Sequence, residues 1–170
     1  MNKKRRHKKR ARERLELWFR GLRGTQWKLT SRDTKRYNCL AWAVGESHRR
    51  WEAGNGFWPN NVERDLSIMT LVRAYITRGF IVCPEADGRM YNPEYDTIVL
   101  YEVSQFGEMI GSHAARLLPN GWWSSKIGNW EDIEHPTPED LCGSQYGAPL
   151  IYMRKRKGIP NANQTRESGQ

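Results

Sequence analysis

The period of the apolar residues changes at Gly79, and this change constrains the fold more than any other feature of the chain. Upstream, Val62, Leu66, Met69, Val72 and Ile76 make an apolar stripe at helical spacing, which predicts a helix over 62–77 stopped at Gly79. Downstream, Phe80–Cys83 and Thr97–Tyr101 are short apolar and β-branched runs bounded by Gly, Pro and Asn, which read as strands. Residues 111–128 then read as a hairpin around Asn120-Gly121, the pair favoured in type I′ turns. A short helix is expected at Thr137–Cys142, with Thr137 as cap and Pro138 in its first turn, and Pro149–Met153 reads as a last strand. Helices first and an antiparallel sheet afterwards define an α+β domain.

Two further helical segments precede the change. Leu15, Trp18, Phe19 and Leu22 are spaced for an amphipathic helix ended by Gly21 or Gly24. In Y-N-C-L-A-W-A-V-G-E at 37–46, Asn38 suits an N-cap, Cys39 falls in the first turn and Gly45 suits the C-terminal cap.

The charge is unevenly placed. The chain of 170 residues carries a formal net charge of +9. Residues 1–14 hold nine basic side chains against Glu13, and residues 154–170 hold five against Glu167, so the middle is mildly acidic. The expected organisation is a basic disordered tail at 1–14, one domain at 15–153 and a second basic disordered tail at 154–170. Polyanion contact through residues 1–14 and 154–157 follows as one expectation, through phosphate pairing. No apolar run is long enough to span a bilayer, and no apolar segment follows the basic start, so a cytoplasmic protein with reduced thiols is expected. Cys39, Cys83 and Cys142 are odd in number and widely spaced, and no C-x-x-C pair is present. That excludes a disulfide framework and argues against structural zinc, and no cofactor is expected.

Cys39 and His113 are the residues placed for chemistry. A thiolate is the nucleophilic form of cysteine, and a helix start and a nearby imidazolium both lower the thiol pKa. Cys39 opens a helix, and His113 begins a strand behind Gly111 and Ser112. Cys83 and Cys142 lack such a setting and read as structural. A base of this kind needs a polar partner to fix its tautomer. With Asn120-Gly121 as a two-residue loop, Pro119 faces Trp122 and His113 faces Gly128. Ser124 and Lys126 then share the face of His113, and Ser125 points away. Asp132, just beyond that strand, is the expected carboxylate partner, and His135 beside Pro136 reads as a helix-entry residue. The rings of Trp51, Phe57 and Trp58 read as cover for the core rather than as a binding wall.

The motifs Y-N-C-L-A-W-A-V-G at 37–45, W-P at 58–59, S-H-A-A-R-L-L-P-N-G at 112–121, W-S-S-K-I-G at 123–128, D-I-E-H at 132–135 and E-D-L-C-G at 139–143 resemble those of an uncharacterised bacterial domain family. The resemblance covers about residues 25–153 and leaves both ends out. That family is in turn distantly similar to papain-like, NlpC-type cysteine peptidases and amidases, through the order of a cysteine-bearing helix and then a histidine-bearing strand. The resemblance implies an NlpC-like fold and a cysteine hydrolase or acyltransferase acting on an unidentified acyl or peptide substrate. Cys39, His113 and Asp132 would be its catalytic set. Papain-like enzymes draw a second oxyanion donor from a glutamine a few residues before the cysteine. Here the nearest upstream glutamine is Gln26, so Asn38 is the candidate. The alternative is a non-catalytic binding module that docks on nucleic acid or another polyanion through the basic ends.

Overall fold

A computed structural model describes residues 3–158 of the chain. In order, it contains α1 (Lys3–Trp18), a 3-10 turn (Arg20–Leu22), β1 (Lys28–Leu29), α2 (Cys39–Ala43), α3 (Ile68–Ile76), β2 (Ile81–Cys83) and α4 (Glu85–Arg89). Then come β3 (Tyr95–Gln105), β4 (Glu108–Leu117), β5 (Trp123–Lys126), β6 (Asp132–His135), a second 3-10 turn (Pro138–Leu141) and β7 (Ala148–Arg156). All strands join one antiparallel sheet in the order β1-β6-β5-β4-β3-β7-β2. The α+β class expected from the change of period is therefore what the chain forms. Among the described residues, no helix is long and apolar enough to cross a membrane.

Both faces of the sheet are covered, because its central strands are apolar on both sides. Ile98, Leu100, Ala114 and Met153 pack with α2 and α3 in one core, which also takes Trp51, Trp58 and Tyr75. Val99, Tyr101, Ala115 and Tyr152, the alternate residues, pack on the other face with Leu15, Phe19 and Leu22. Trp51 and Trp58 are core residues, in keeping with the reading of those rings as cover.

The expected tail at 1–14 is helical from Lys3 onward. Two contacts account for this: Ala11 and Leu15 lie one turn apart and are both buried, and Arg14 is ion-paired with the buried Glu131. At the other end, residues 154–156 continue β7, and Arg154, Arg156 and Lys157 pair with Asp87, Glu94 and Asp96. The rest of the expected tail, residues 159–170, lies outside the described residues. The helical stripe at 62–77 is realised as the shorter α3, because Ser67 caps it by accepting from Thr70 N–H at 3.2 Å.

The central hairpin forms with a different turn. Gly121 N–H bonds Leu118 C=O at 2.9 Å and Leu118 N–H bonds Trp122 C=O at 2.7 Å, with Gly121 at φ 81 while Asn120 stays at negative φ. This is a type I turn followed by a left-handed glycine, a three-residue loop. The proline explains it: Pro119 has its φ fixed near −65°, which suits the second position of a type I turn. Pairing therefore runs Leu117↔Trp123 and Arg116↔Ser124, one residue away from the register that a two-residue loop would set. A two-residue turn with positive φ at both positions does occur, at Phe106-Gly107 between β3 and β4.

Candidate active site

The one-residue difference in register changes which side chain meets His113. Along β5, Trp123 and Ser125 face the layer under α1, whereas Ser124 and Lys126 face the layer under α2. His113 lies on the α1 side with its cross-strand partner Tyr101, the two rings meeting edge to face with centroids 5.1 Å apart. The residue that reaches it is Ser125, whose Oγ stands 2.9 Å from His113 Nε2. The same Oγ is 2.9 Å from His135 Nε2, and His135 Nδ1 is 2.7 Å from the Thr137 carbonyl. His113, Ser125 and His135 are all fully buried.

The chain of four groups can be protonated in one way only while both rings are neutral. A carbonyl oxygen can only accept, so His135 carries its proton on Nδ1. Its Nε2 then accepts from the Ser125 hydroxyl, and the Ser125 oxygen accepts from His113 Nε2–H. This leaves His113 Nδ1 with a bare lone pair, and that atom is buried without a hydrogen-bond partner. Burial disfavours the charged form of both rings. It holds His113 well below the usual histidine range, with His135 adding repulsion, and it lowers His135 to about 4 despite the Thr137 carbonyl. Tyr146 covers the His113 ring, stacked at 4.1 Å and 7°. Its loop is pinned by Gly147 at φ 69, where a Cβ would fall 1.8 Å from the Glu102 carbonyl oxygen.

Cys39 is the first residue of α2, and Asn38 caps that helix by accepting from Ala41 N–H at 3.3 Å. Asn38 also accepts from Trp51 N–H and donates to Trp51 C=O, so its amide is tied to the loop and does not point outward as a free oxyanion donor. Burial pushes the Cys39 thiol up, with the backbone of Ala114, Leu40 and Cys39 itself acting the other way. The lowered thiol expected from a helix start is not found, because a helix of five residues has little dipole to set against desolvation. The structure thus brings Cys39 against Ala114, one residue along β4 from His113, but from the α2 side of the sheet. No hydrogen bond joins Cys39 to His113, whose Nε2 is taken by Ser125 and whose Nδ1 is unpartnered.

Asp132 does not meet His113. It sits on the α2 side opposite Lys126, where its Oδ2 accepts from the Tyr37 hydroxyl at 2.6 Å and its N–H donates to Ser31. Lys126 is fully buried beside it and donates to the Trp130 carbonyl. The register expected from sequence points Ser125 away from His113, and Pro136 makes His135 read as a helix-entry residue, whereas in the structure His135 ends strand β6. The only apolar residue of β6 is Ile133, so its pattern gives no strand signal. Cys83 is buried and Cys142 half-buried, both as free thiols, and burial pushes both upward as well.

The arrangement defines an α+β domain in which a histidine–serine–histidine relay holds a bare imidazole nitrogen one residue along the strand from a helix-capped cysteine. The chain belongs to the family described as Domain of unknown function (DUF7689), whose match spans residues 28–154. No curated protein and no solved structure matches the chain.

The relay makes stability depend on pH. Both rings are held neutral in the fold, so the unfolded chain binds more protons once the pH drops below the ordinary histidine value near 6.5. The unfolding free energy should therefore fall between about pH 6.5 and pH 4, His135 contributing roughly 3 kcal/mol of the loss and His113 adding to it in the same direction. Urea unfolding across this range checks it: His135→Gln should flatten the slope, and an unchanged slope would exclude His135 as its source.

Proposed function

We propose that this domain is a cysteine hydrolase or acyltransferase, with Cys39 as nucleophile and His113 as general base. The reading rests on one observation: His113 Nδ1 is a buried, unpartnered lone pair kept bare by Ser125, His135 and the Thr137 carbonyl. A merely structural histidine at full burial would be expected to satisfy both nitrogens. Two further features support it. Cys39 lies against Ala114, the next residue in the chain, and β4 and β5 form no backbone pairs at that level. The order of cysteine helix and histidine strand is also that of papain-like, NlpC-type peptidases and amidases.

The chemistry starts from a neutral thiol and a neutral imidazole, not from a preformed ion pair. As Sγ bonds to the carbonyl carbon of an amide, ester or thioester, the thiol proton moves to His113 Nδ1. The tetrahedral intermediate collapses with cleavage of the bond to the leaving group, which takes that proton. Water or another acceptor then gives its proton to Nδ1 and attacks the thioester, releasing the acyl group and restoring the thiol. Ser125 and His135 act as positioning residues, since they hold Nε2–H throughout and keep the lone pair on the atom that must accept. Asp132 has no part in these steps, as its Oδ2 is bonded to Tyr37 and neither nitrogen of His113 is hydrogen-bonded to it.

Alkylation of each cysteine, followed across pH by peptide mass spectrometry, tests the reading. Cys39 should titrate above the ordinary thiol range, because burial pushes it up. With an activated thioester at neutral pH, acylation of Cys39 should fall by about 10²–10⁴-fold in His113→Ala, as for the loss of a general base. Ser125→Ala should lower it less, and Asp132→Asn should leave the rate of correctly folded protein unchanged. Equal acylation in wild type and His113→Ala would sink the assignment.

A second reading is favoured by the surface of α1. Arg5, Lys8, Lys9 and Arg12 line a cleft of about 470 Å³ with Trp27 and Leu29, which presents four cations to one anionic chain. Residues 154–157 do not join it, since β7 lies toward the opposite edge of the sheet from β1. Binding of a mixed-sequence single-stranded oligonucleotide should weaken with salt at a log–log slope of about −3 if all four cations contact phosphate. A slope near zero, or no binding at low salt, would remove this reading.

A further inference from the structure

α1 meets the domain at Glu131, whose carboxylate is fully buried. Its Oε2 accepts from Arg14 on that helix. Its Oε1 has no hydrogen-bond partner and faces His7 Nε2, also buried and unpartnered, at 3.3 Å. A carboxylate oxygen of Asp33 completes the group, with the three ligand atoms all within 4.8 Å of one another. A buried carboxylate oxygen left without a hydrogen bond is costly, and a cation standing between it and the facing imidazole nitrogen would satisfy both.

The separation bears on which cation. Two ligands each about 2.0–2.1 Å from a tetrahedral ion stand about 3.3 Å apart. That is the distance found between His7 Nε2 and Glu131 Oε1. We propose that His7, Asp33 and Glu131 bind one divalent ion of the zinc class, which fastens α1 to the domain. One imidazole and two carboxylates suit such an ion, and the two negative charges balance it. Arg14 on the far carboxylate oxygen orients that ligand, the usual role of an outer partner. A cleft of about 300 Å³ lined by His7, Lys8, Thr30, Ser31 and Arg32 opens beside the group and leaves room for a fourth ligand. Lys8 and Arg32 favour an anionic one, such as hydroxide or an oxyanion. His7 precedes the matched residues 28–154, so the site ties a helix of this chain to the family domain.

Titration calorimetry of the full chain with zinc, paired with cobalt absorption, tests this. The expected result is one equivalent bound, a cobalt spectrum of tetrahedral type without a thiolate charge-transfer band, and a zinc-dependent rise in Tm. His7→Ala should abolish the binding and the rise, and Asp33→Asn should weaken binding by tenfold or more. Both side chains lie outside the two cores, so both variants should fold. Binding that persists in His7→Ala overturns the proposal, as does a thiolate band. A protein that takes up no zinc, with a Tm lowered by His7→Ala alone, also overturns it and assigns the contact to a direct pairing of His7 with Glu131.

Discussion

The ring of Pro119 decides which residues stand behind His113. With φ fixed near −65°, a proline suits the second position of a type I turn, and Gly121 then has to absorb the left-handed step. The loop becomes three residues long, Leu117 pairs with Trp123, and every side chain of β5 takes the face opposite to the one that an Asn-Gly turn alone would give it. Ser125 comes under His113 and carries the connection on to His135. Lys126 goes to the other face, where Tyr37 and Asp132 accompany it.

The consequence is electrostatic. A carboxylate behind His113 would have favoured the charged ring, whereas a hydroxyl and a neutral imidazole do not. Full burial then keeps both histidines neutral, and the same burial keeps Cys39 a thiol. In the proposed reaction the proton moves only when bond formation at sulfur makes the thiol acidic. The site differs in that respect from an enzyme resting as thiolate and imidazolium.

Much of the framework was legible in the sequence because it rests on local signals. The Asn38 cap, the α3 stripe, the helical turn that Thr137 and Pro138 open, and the last strand each follow from residues close together in the chain. Three features were not legible, for distinct reasons. α1 looks like a repelling block of charge, and it is ordered by Glu131, more than a hundred residues away. β6 has polar residues on both faces, each held by a specific bond: Asp132 to Tyr37 and His135 to Ser125 and Thr137. The register of β5 hung on weighing Pro119 against Asn120-Gly121, where the stronger short-range hairpin signal is overridden by the stiffer residue. The place of Ser125 depends on that register and the place of His135 on β6, so the candidate site was legible at Cys39 and His113 but not in the groups behind the ring.

Long-range ¹H–¹⁵N correlation spectra of the imidazole rings test the central claim most directly, since they report which nitrogen carries the proton. The structure predicts that His113 is protonated at Nε2 and bare at Nδ1, that His135 is protonated at Nδ1, and that both rings stay neutral well below the ordinary histidine range. A His113 ring protonated at Nδ1, or one that becomes cationic near pH 6.5 as an unperturbed histidine would, contradicts the relay.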